Sequence, residues 1–345
     1  MKKMLIVCML TTTVLCGGEA GEFRPGELWR DTDGFVINAH GCGVTEHEGT
    51  YYWYGEHKVY GKAGNRAHVG VHVYSSTNLC DWTDRGIALA VSGDAASPIY
   101  DGCIIERPKV VRCPKTGKFV MFFHLELQNL LVMGKGYYAA FAGVATSDRP
   151  TGPFELLHAG PPNSFEWRWN GHQSRDMTLF VDDDGTAWHF YSSEGNKTLH
   201  VDRLTDDYCG YTGESHRILI GDSTEAPAVF KCAGKYWLIG SGCTGWAPNV
   251  ARLYSADKVT GPWTRHGNPC TGTNPQNGLG PEKTWGAQST FVLPLEGGRF
   301  IAMFDIWRPD NHLDSRYVWL PVEMKDGLPT IAWRDTWKVE DLKGL

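Results

Sequence analysis

The stretch Gly49-Thr-Tyr-Tyr-Trp-Tyr54 is the first of five similar segments in this chain of 345 residues. Each begins with a glycine and one or two further residues and continues with closely spaced aromatic residues, a pattern typical of a tight hairpin turn that enters a β-strand. The other four begin at Gly117, Gly185, Gly234 and Gly298. A β unit that recurs at this interval is typical of a propeller blade. The pattern therefore predicts an all-β fold, a five-bladed β-propeller with four-stranded antiparallel blades around a central channel.

A short apolar run precedes each of these glycines, and a polar residue precedes each run. The five polar residues are His40, Glu106, Asp176, Glu225 and Gln288. If the apolar runs are the innermost strands of successive blades, the five side chains meet at the mouth of the channel. Packing alone does not require a polar side chain at the equivalent position of every repeat. We therefore predict a functional site there.

Composition and charge exclude several classes of function. The chain is 42% hydrophobic, enough for a large core, and its formal net charge is −6. It has no stripe of Lys and Arg, so no nucleic-acid partner is expected. After the N-terminal segment no apolar stretch reaches about 18 residues, so no membrane span is expected. No linker interrupts the repeat, and residues 21–345 are predicted to form one monomeric domain.

The first twenty residues are typical of a signal peptide. Lys2-Lys3 is a positive start, Met4–Leu15 is apolar, and Gly18-Glu-Ala20 fits a cleavage site flanked by small residues. Export to the periplasm, the cell surface or the medium is therefore predicted. Lipid attachment at Cys16 is the alternative, which the preceding leucine disfavours.

The cysteines and histidines do not predict a metal site. Eight cysteines follow the signal segment, and neither Cys-x-x-Cys nor a Cys/His ligand spacing is present. Most are expected to be buried free thiols, although an exported chain permits disulfides whose pairing stays open. Asp182-Asp-Asp-Gly185 is acidic enough for calcium, but its place between two strands favours a hairpin turn. No metal and no organic cofactor are predicted.

Three carboxylates of the predicted ring suggest a reaction. Hydrolysis of a glycosidic bond needs a proton donor for the leaving oxygen and a group that directs water or forms an adduct. Glu106, Asp176 and Glu225 would supply such groups in one cleft. Crowded, poorly solvated carboxylates raise one another's pKa, so that one can stay protonated near neutral pH.

These residues also resemble a known family. Asp176-Met-Thr-Leu-Phe-Val-Asp-Asp-Asp-Gly185 resembles a segment of glycoside hydrolase family 43, and Glu225-Ala-Pro227 resembles its catalytic-acid segment. The resemblance covers residues 30 to 335. Four further motifs are similar to its exo-β-1,3-galactanase subgroup: Ala39-His40-Gly41, Glu106-Arg-Pro-Lys109, Thr244-Gly-Trp-Ala-Pro-Asn249 and Trp285-Gly-Ala-Gln-Ser-Thr290.

The resemblance implies a five-bladed propeller, an inverting mechanism and a role for several residues. It implies that Glu225 is the general acid and that Asp176 tunes and orients it. The family's usual base is an Asp in the first blade, where this chain has His40-Gly41. In the resembling subgroup the residue matching Gln288 is implicated instead, and the one matching Glu106 lines the site. A neutral amide is a feeble base, so Gln288 is expected to position the water, and whether Glu106 or His40 acts as the base stays open.

The remaining candidates are residues expected to contact the sugar. Together with His40 they are Glu56, Tyr138, Glu194, Asn196, Thr244 and Trp246. The resemblance suggests that Glu56 binds a substrate hydroxyl, whereas a bond to a backbone amide between blades is the alternative. Trp246 is either a stacking platform for a sugar or a residue packed between blades.

The sequence therefore predicts an exported exo-acting hydrolase that releases galactose from β-1,3-galactan, such as the backbone of arabinogalactan. An α-L-arabinofuranosidase or β-xylosidase of the same fold is one alternative, disfavoured by the missing first-blade Asp. A glycan-binding propeller without catalytic activity is the other. Its expected partner is the oligo- or polysaccharide itself.

Overall fold

The computed structural model describes residues 21–163 and 173–342. The predicted signal peptide lies outside the described residues, so the structure does not test that prediction. Besides strands, the described residues form one short helix, α1 (Gln128–Val132), and 3-10 turns at Lys62–Asn65, Pro281–Gly286, His312–Asp314 and Val339–Asp341. None of the helices in these two ranges is long and apolar enough to cross a membrane.

The strands follow one another along the whole described chain. They are β1 (Glu22–Phe23), β2 (His40–His47), β3 (Thr50–Glu56), β4 (Gly70–Ser76), β5 (Thr83–Ala90), β6 (Ile104–Arg112), β7 (Phe119–Glu126), β8 (Phe141–Ser147), β9 (Glu155–Gly160), β10 (Met177–Val181), β11 (Ala187–Ser193), β12 (Thr198–Leu204), β13 (Tyr211–Ile218), β14 (Thr224–Cys232), β15 (Lys235–Gly242), β16 (Arg252–Ala256), β17 (Thr264–Gly267), β18 (Cys270–Thr271), β19 (Gln288–Leu295), β20 (Arg299–Ile306), β21 (Arg316–Pro321), β22 (Glu323–Lys325), β23 (Leu328–Ala332) and β24 (Trp337–Lys338). The prediction of an all-β fold is confirmed.

The predicted count of five four-stranded blades is wrong. The described residues of the propeller form six sheets of three or four strands. Four of them are antiparallel sheets of four strands in chain order, namely β2 to β5, β6 to β9, β10 to β13 and β14 to β17. The other two have three strands each, β19-β20-β21 and β18-β23-β22, and the pair β1-β24 joins the two ends of the described chain.

The sheet that the repeat did not predict is built differently from the others. Its strand β18 runs parallel to β23, whereas β22 and β23 form a hairpin. The hairpin turns at Asp326-Gly327, where both residues have positive φ, and no aromatic run follows it. A search for glycine followed by aromatic residues therefore misses it. The sheet of the final repeat, β19-β20-β21, has three strands and no fourth.

The five predicted hairpin turns are confirmed. Each of the glycines lies between the first two strands of a sheet and has a positive φ, which a residue without a Cβ adopts at little cost. The φ values are 75° for Gly49, 75° for Gly117, 82° for Gly185, 76° for Gly234 and 67° for Gly298. The second strand in each case is the aromatic run.

The first strand of each of these five sheets lies innermost. Contacts join β2 to β6, β6 to β10, β10 to β14, β14 to β19 and β19 back to β2. Large aromatic side chains fill the space between sheets, as where Trp53 packs edge-on against Trp82 and Tyr317. The starts of the innermost strands therefore come together at one face of the propeller.

Candidate active site

A pocket of about 340 Å³ opens where the innermost strands begin. Its walls come from every four-stranded sheet and from β19 and the segment after β20. The lining residues are Glu56, Glu106, Arg107, His124, Tyr137, Arg175, Asp176, Asn196, Glu225, Cys243, Gly245, Trp246, Gln288 and Trp307. Seven of the residues predicted for the site are among them: Glu56, Glu106, Asp176, Asn196, Glu225, Trp246 and Gln288.

Local irregularities at the start of the innermost strands direct these side chains into the pocket. The pairing register shifts directly after Glu106 and directly after Glu225, and the next residues, Arg107 and Ala226, have φ values of 56° and 54°. A β-bulge of this kind bends a strand and redirects a side chain. In both strands a proline follows the bulged residue, where a ladder hydrogen bond is already lost.

Glu225 is buried with only 7% of its surface exposed, and two neutral amides hold it. Nε2 of Gln288 donates to its Oε1 at 3.1 Å, and Nδ2 of Asn196 donates to its Oε2 at 3.1 Å. Burial and the nearby negative charge of Asp176 raise the pKa of Glu225 to about 8, although Arg107 acts in the opposite direction. Glu225 is therefore a carboxylic acid, able to give up a proton, at neutral pH.

All four hydrogen-bonding positions of the Gln288 amide are occupied. Its Nε2 donates to Glu225 and to Oγ of Ser241, the latter at 3.0 Å. Its Oε1 accepts from Arg107 at 2.5 Å and from Nε1 of Trp307 at 3.0 Å. The partners thus define which end of the amide points where, and they hold it rigidly beside the acid.

Arg107 connects three walls of the pocket. Besides Gln288, its guanidinium pairs with Oδ2 of Asp176 at 3.1 Å and donates to the carbonyl oxygen of Ser289 at 2.7 Å. Its backbone N–H donates to Oε1 of Glu56 at 2.8 Å. Arg107 therefore positions Asp176 and Gln288 directly, and it positions Glu225 through Gln288.

Glu106 is held as a carboxylate on the opposite wall. Its Oε1 accepts from Asn65 at 2.8 Å and from the hydroxyl of Tyr137 at 2.6 Å, and Nδ1 of His124 lies 2.9 Å from its Oε2. Burial acts to raise the pKa of Glu106, but the hydrogen bond and positive charge of His124 outweigh it and hold this pKa well below its usual range. Nε2 of His124 lies 2.9 Å from Glu126. Burial would lower the pKa of His124, but the two carboxylates raise it to about 10.

Glu56 lies at the end of β3 and is paired with the buried Lys58. The predicted alternative, a bond to a backbone amide of the neighbouring sheet, is present as the contact with Arg107. Gly41, with a φ of 59°, passes directly over it. A methyl group at Gly41 would overlap Oε1 of Glu56 and approach the amide nitrogen of Arg107 to 3.3 Å.

Four predicted residues do not line the pocket, and their placement corrects the prediction. His40 is only 1% exposed and its ring stacks on that of Tyr317, outside the pocket. Burial and the charge of Lys58 lower its pKa well below the usual value. Tyr138 contacts Lys135, and the adjacent Tyr137 enters the site instead.

The other two residues, Glu194 and Thr244, make their contacts outside the pocket. Both carboxylate oxygens of Glu194 bind Arg217, at 2.6 and 2.7 Å. The hydroxyl of Thr244 donates to the carbonyl oxygen of Ala247 and caps a turn. Trp246 does line the pocket, 36% exposed, with its ring edge-on to Trp307 at 5.4 Å.

Seven of the lining residues were not among the predicted site residues. They are Arg107, His124, Tyr137, Arg175, Cys243, Gly245 and Trp307. Arg107 and Arg175 are next to predicted residues, but a strand pattern assigns neighbours to opposite faces, and the bulge that reverses this has no separate sequence signal. His124 could have been found from its place on β7, across from Glu106 in the hairpin. In the part of the chain that the structure describes, no three His, Cys, Asp or Glu side chains could hold a metal ion.

Comparison with known proteins agrees with this architecture. The family model for glycosyl hydrolases family 43 matches residues 40–329. Among solved structures, the β-1,3-galactosidase BT3683 with galactodeoxynojirimycin is 46% identical, with a TM-score of 0.84, and the match covers 92% of this chain and 100% of that one. No curated protein sequence matches.

Two further structures are similar over the same part of the chain. An exo-β-1,3-galactanase from Phanerochaete chrysosporium with β-1,3-galactotriose is 33% identical, with a TM-score of 0.80 over 92% of this chain and 68% of that one. An exo-β-1,3-galactanase from Clostridium thermocellum is 32% identical, with a TM-score of 0.79 over 92% and 66%. Fold, site and these matches define a glycoside hydrolase. The chain belongs to glycosyl hydrolase family 43.

Proposed function

We propose that this hydrolase removes single galactose units from the non-reducing end of β-1,3-galactan with inversion at the anomeric carbon. The observation that carries the proposal is the buried carboxyl group of Glu225, held between Gln288 and Asn196 in a pocket that Asp176 also lines. The substrate follows from the similar structures, whose names specify β-1,3-galactosidases and exo-β-1,3-galactanases.

In the proposed mechanism Glu225 protonates the leaving oxygen. Its raised pKa keeps the proton in place until the substrate binds, and proton transfer relieves the developing negative charge on that oxygen. As a carboxylate, Glu225 then accepts the amide hydrogens of Gln288 and Asn196, which favour its charged form. The same two contacts therefore orient the acid before transfer and stabilise it afterwards.

Gln288 and Glu106 position the attacking water in this mechanism. Three of the roughly four acceptor positions of the Glu106 carboxylate are used by Asn65, Tyr137 and His124, so one is open to a water hydrogen. As the water attacks the anomeric carbon, its proton passes to this open position of the Glu106 carboxylate. The depressed pKa makes Glu106 a weak base, so the transfer comes late in the step. Gln288 reaches water when the rotatable hydroxyl of Ser241 releases its Nε2. Asp176, which pairs with Arg107, contributes to the raised pKa of Glu225.

The experiment that tests this function uses linear β-1,3-galacto-oligosaccharides labelled at the reducing end. Stepwise loss of one galactose at a time, with the label always on the shortened product, is the expected result. Binding in calorimetry without any release would instead support a glycan-binding propeller. Release of arabinose or xylose from their aryl glycosides, without release of galactose, would support the arabinofuranosidase or xylosidase alternative.

We also propose that the enzyme is exported. The support is the sequence of residues 1–20, which lie outside the described part of the chain. Mass spectrometry of the N-terminus of the protein recovered from its native host tests this, and a mature chain that begins at Gly21 is the expected result.

A further inference from the structure

We propose that Arg175 binds the carboxylate of an acidic sugar attached to the galactan, so that the pocket prefers galactose units next to a uronic acid substituent. This inference rests on the proposed galactanase function and narrows its substrate class. It starts from the charges of the pocket, because Arg175 is a lining cation to which the proposed reaction gives no role.

The carboxylates that line the pocket are already compensated. Three of them have a cationic partner, whereas the fourth, Glu225, is held by the neutral amides of Gln288 and Asn196. The three pairs are Glu56 with Lys58, Asp176 with Arg107 at 3.1 Å, and Glu106 with His124 at 2.9 Å. An incoming anion therefore meets no unpaired negative charge on the wall itself.

Arg175, in contrast, has unused binding capacity. A guanidinium carries five N–H donors. NH2 of Arg175 donates to the carbonyl oxygen of Tyr137 at 2.8 Å, and Nε is buried without a partner. Among the described residues no carboxylate lies within ion-pair distance of this guanidinium. Backbone contacts fix its place, since its N–H donates to the carbonyl oxygen of Ser192 at 3.0 Å.

The chemistry of such a group favours a carboxylate over a hydroxyl. The planar fork of arginine matches two carboxylate oxygens, and charge-assisted hydrogen bonds are about twice as strong as neutral ones. A uronic acid is ionised throughout the range in which Glu225 is protonated and active. The neutral hydroxyls of galactose would leave most of the hydrogen-bonding capacity of this half-buried cation unused.

A purely structural role for Arg175 is the competing explanation. Its contact with Tyr137 supports a residue with a φ of 55°, and the hydroxyl of that tyrosine binds Glu106. Loss of this support would weaken activity on every substrate to the same degree. The ratio of activities on acidic and neutral substrates therefore separates the two explanations.

The test compares kcat/KM for three oligosaccharides of the same length. The first is linear β-1,3-galactotriose, the second carries a uronosyl group on O6, and the third carries the methyl ester of that group. We expect the wild type to prefer the acid over its ester. Arg175→Gln is expected to reduce the acid-to-ester ratio at least tenfold, and Arg175→Lys, which keeps the charge but not the fork, to give an intermediate ratio. Added salt should lower the ratio for the wild type and for Arg175→Lys, but not for Arg175→Gln.

Arg203→Gln is the matched control, because it removes the same group at an exposed position paired with Glu214. Its ratio should equal that of the wild type. An acid-to-ester ratio that Arg175→Gln leaves unchanged, or a wild type without preference for the acid, would overturn the inference. Failure of the wild type to release galactose from the linear trisaccharide would instead refute the proposed function.

Discussion

Nε2 of Gln288 lies 3.1 Å from Oε1 of Glu225, so that the first residue of one innermost strand binds the second residue of its neighbour. This contact crosses from one sheet to the next at the centre of the propeller. Both residues lie at the start of their strands. They are separated by 62 residues in the sequence, and only the packing of the two sheets in the folded protein brings them together. A substitution of either Gln288 or Glu225 should therefore change the reactivity of the site.

Glu225→Gln removes the proposed acid while it keeps the shape of the side chain and one of its two amide contacts. We expect kcat to fall by about 10² to 10⁴, the usual contribution of a positioned acid. Calorimetry should show that galacto-oligosaccharides still bind. Glu214→Gln, at an exposed site, is the control. Activity within about tenfold of the wild type would remove Glu225 from the acid role.

The pH dependence of kcat/KM should report the titration of Glu225. Because the acid must be protonated, activity should fall as pH rises through about 8. The negative charge of Asp176 contributes to the raised pKa, so Asp176→Asn should move this alkaline limb to lower pH. Asp183→Asn, an exposed aspartate on the far hairpin, should leave the limb in place. An alkaline limb that keeps its position or moves to higher pH in Asp176→Asn would contradict the assignment of the limb to Glu225.

Gln288→Glu should move the same limb in the other direction. The new carboxylate would pair with Arg107 and place a like charge beside Glu225, which raises the pKa of the acid. Ser241→Ala, which removes only the second acceptor of the amide, is the comparison variant. A pH profile of Gln288→Glu shifted downward would show that the amide does not lie next to the proton donor.

Gly41 is predicted to be irreplaceable for reasons that Gly49 does not share. Both have a positive φ, which costs a non-glycine residue about 1 kcal/mol. A methyl group at Gly41 would also collide with Glu56, whereas none of the described atoms lies within 4 Å of one at Gly49. Urea unfolding should therefore show a larger decrease in the free energy of unfolding for Gly41→Ala than for Gly49→Ala. Gly41→Ala should also lose activity. Equal losses would mean that the collision is relieved without cost.

His124 is expected to stabilise the fold through two buried carboxylates. His124→Gln would leave Glu106 and Glu126 without their cation, and breaking a buried pair costs about 3–5 kcal/mol. The pKa of His124 is raised to about 10, so its contribution should be complete below the unfolded value of about 6.5 and should disappear as pH rises through about 10.

Urea unfolding of His124→Gln and the wild type at several pH values measures this contribution. His68→Gln, which breaks an exposed pair with Asp101, should cost no more than about 1 kcal/mol. A difference between His124→Gln and the wild type that persists above pH 10 would contradict the charged state of His124.

The repeat predicted the innermost strands because a glycine hairpin and an aromatic strand are local features, written within a few residues. Glu106, Asp176, Glu225 and Gln288 could be placed in one pocket for the same reason, since each precedes a hairpin glycine by 9 to 11 residues. The sheet of β18, β22 and β23 depends on a parallel pairing between distant segments, which no local pattern records.

Two predicted residues lie outside the pocket although nothing in their sequence position distinguishes them from lining residues. His40 shares with Glu225 the repeat position, the bulge and the positive φ of the next residue, yet its ring stacks on Tyr317. Tyr137 and Tyr138 are adjacent, and only the loop geometry decides which enters the pocket. Strand periodicity describes regular backbone, and functional sites lie where the backbone departs from it.

Proton NMR of the first sugar released from linear β-1,3-galactan tests the central claim most directly. With Glu225 as the acid and a positioned water on the opposite face, the account predicts free galactose whose first detectable anomer is α, before mutarotation produces the β form. First appearance of β-galactose would contradict the inverting mechanism, and larger fragments in place of galactose would contradict removal from the chain end.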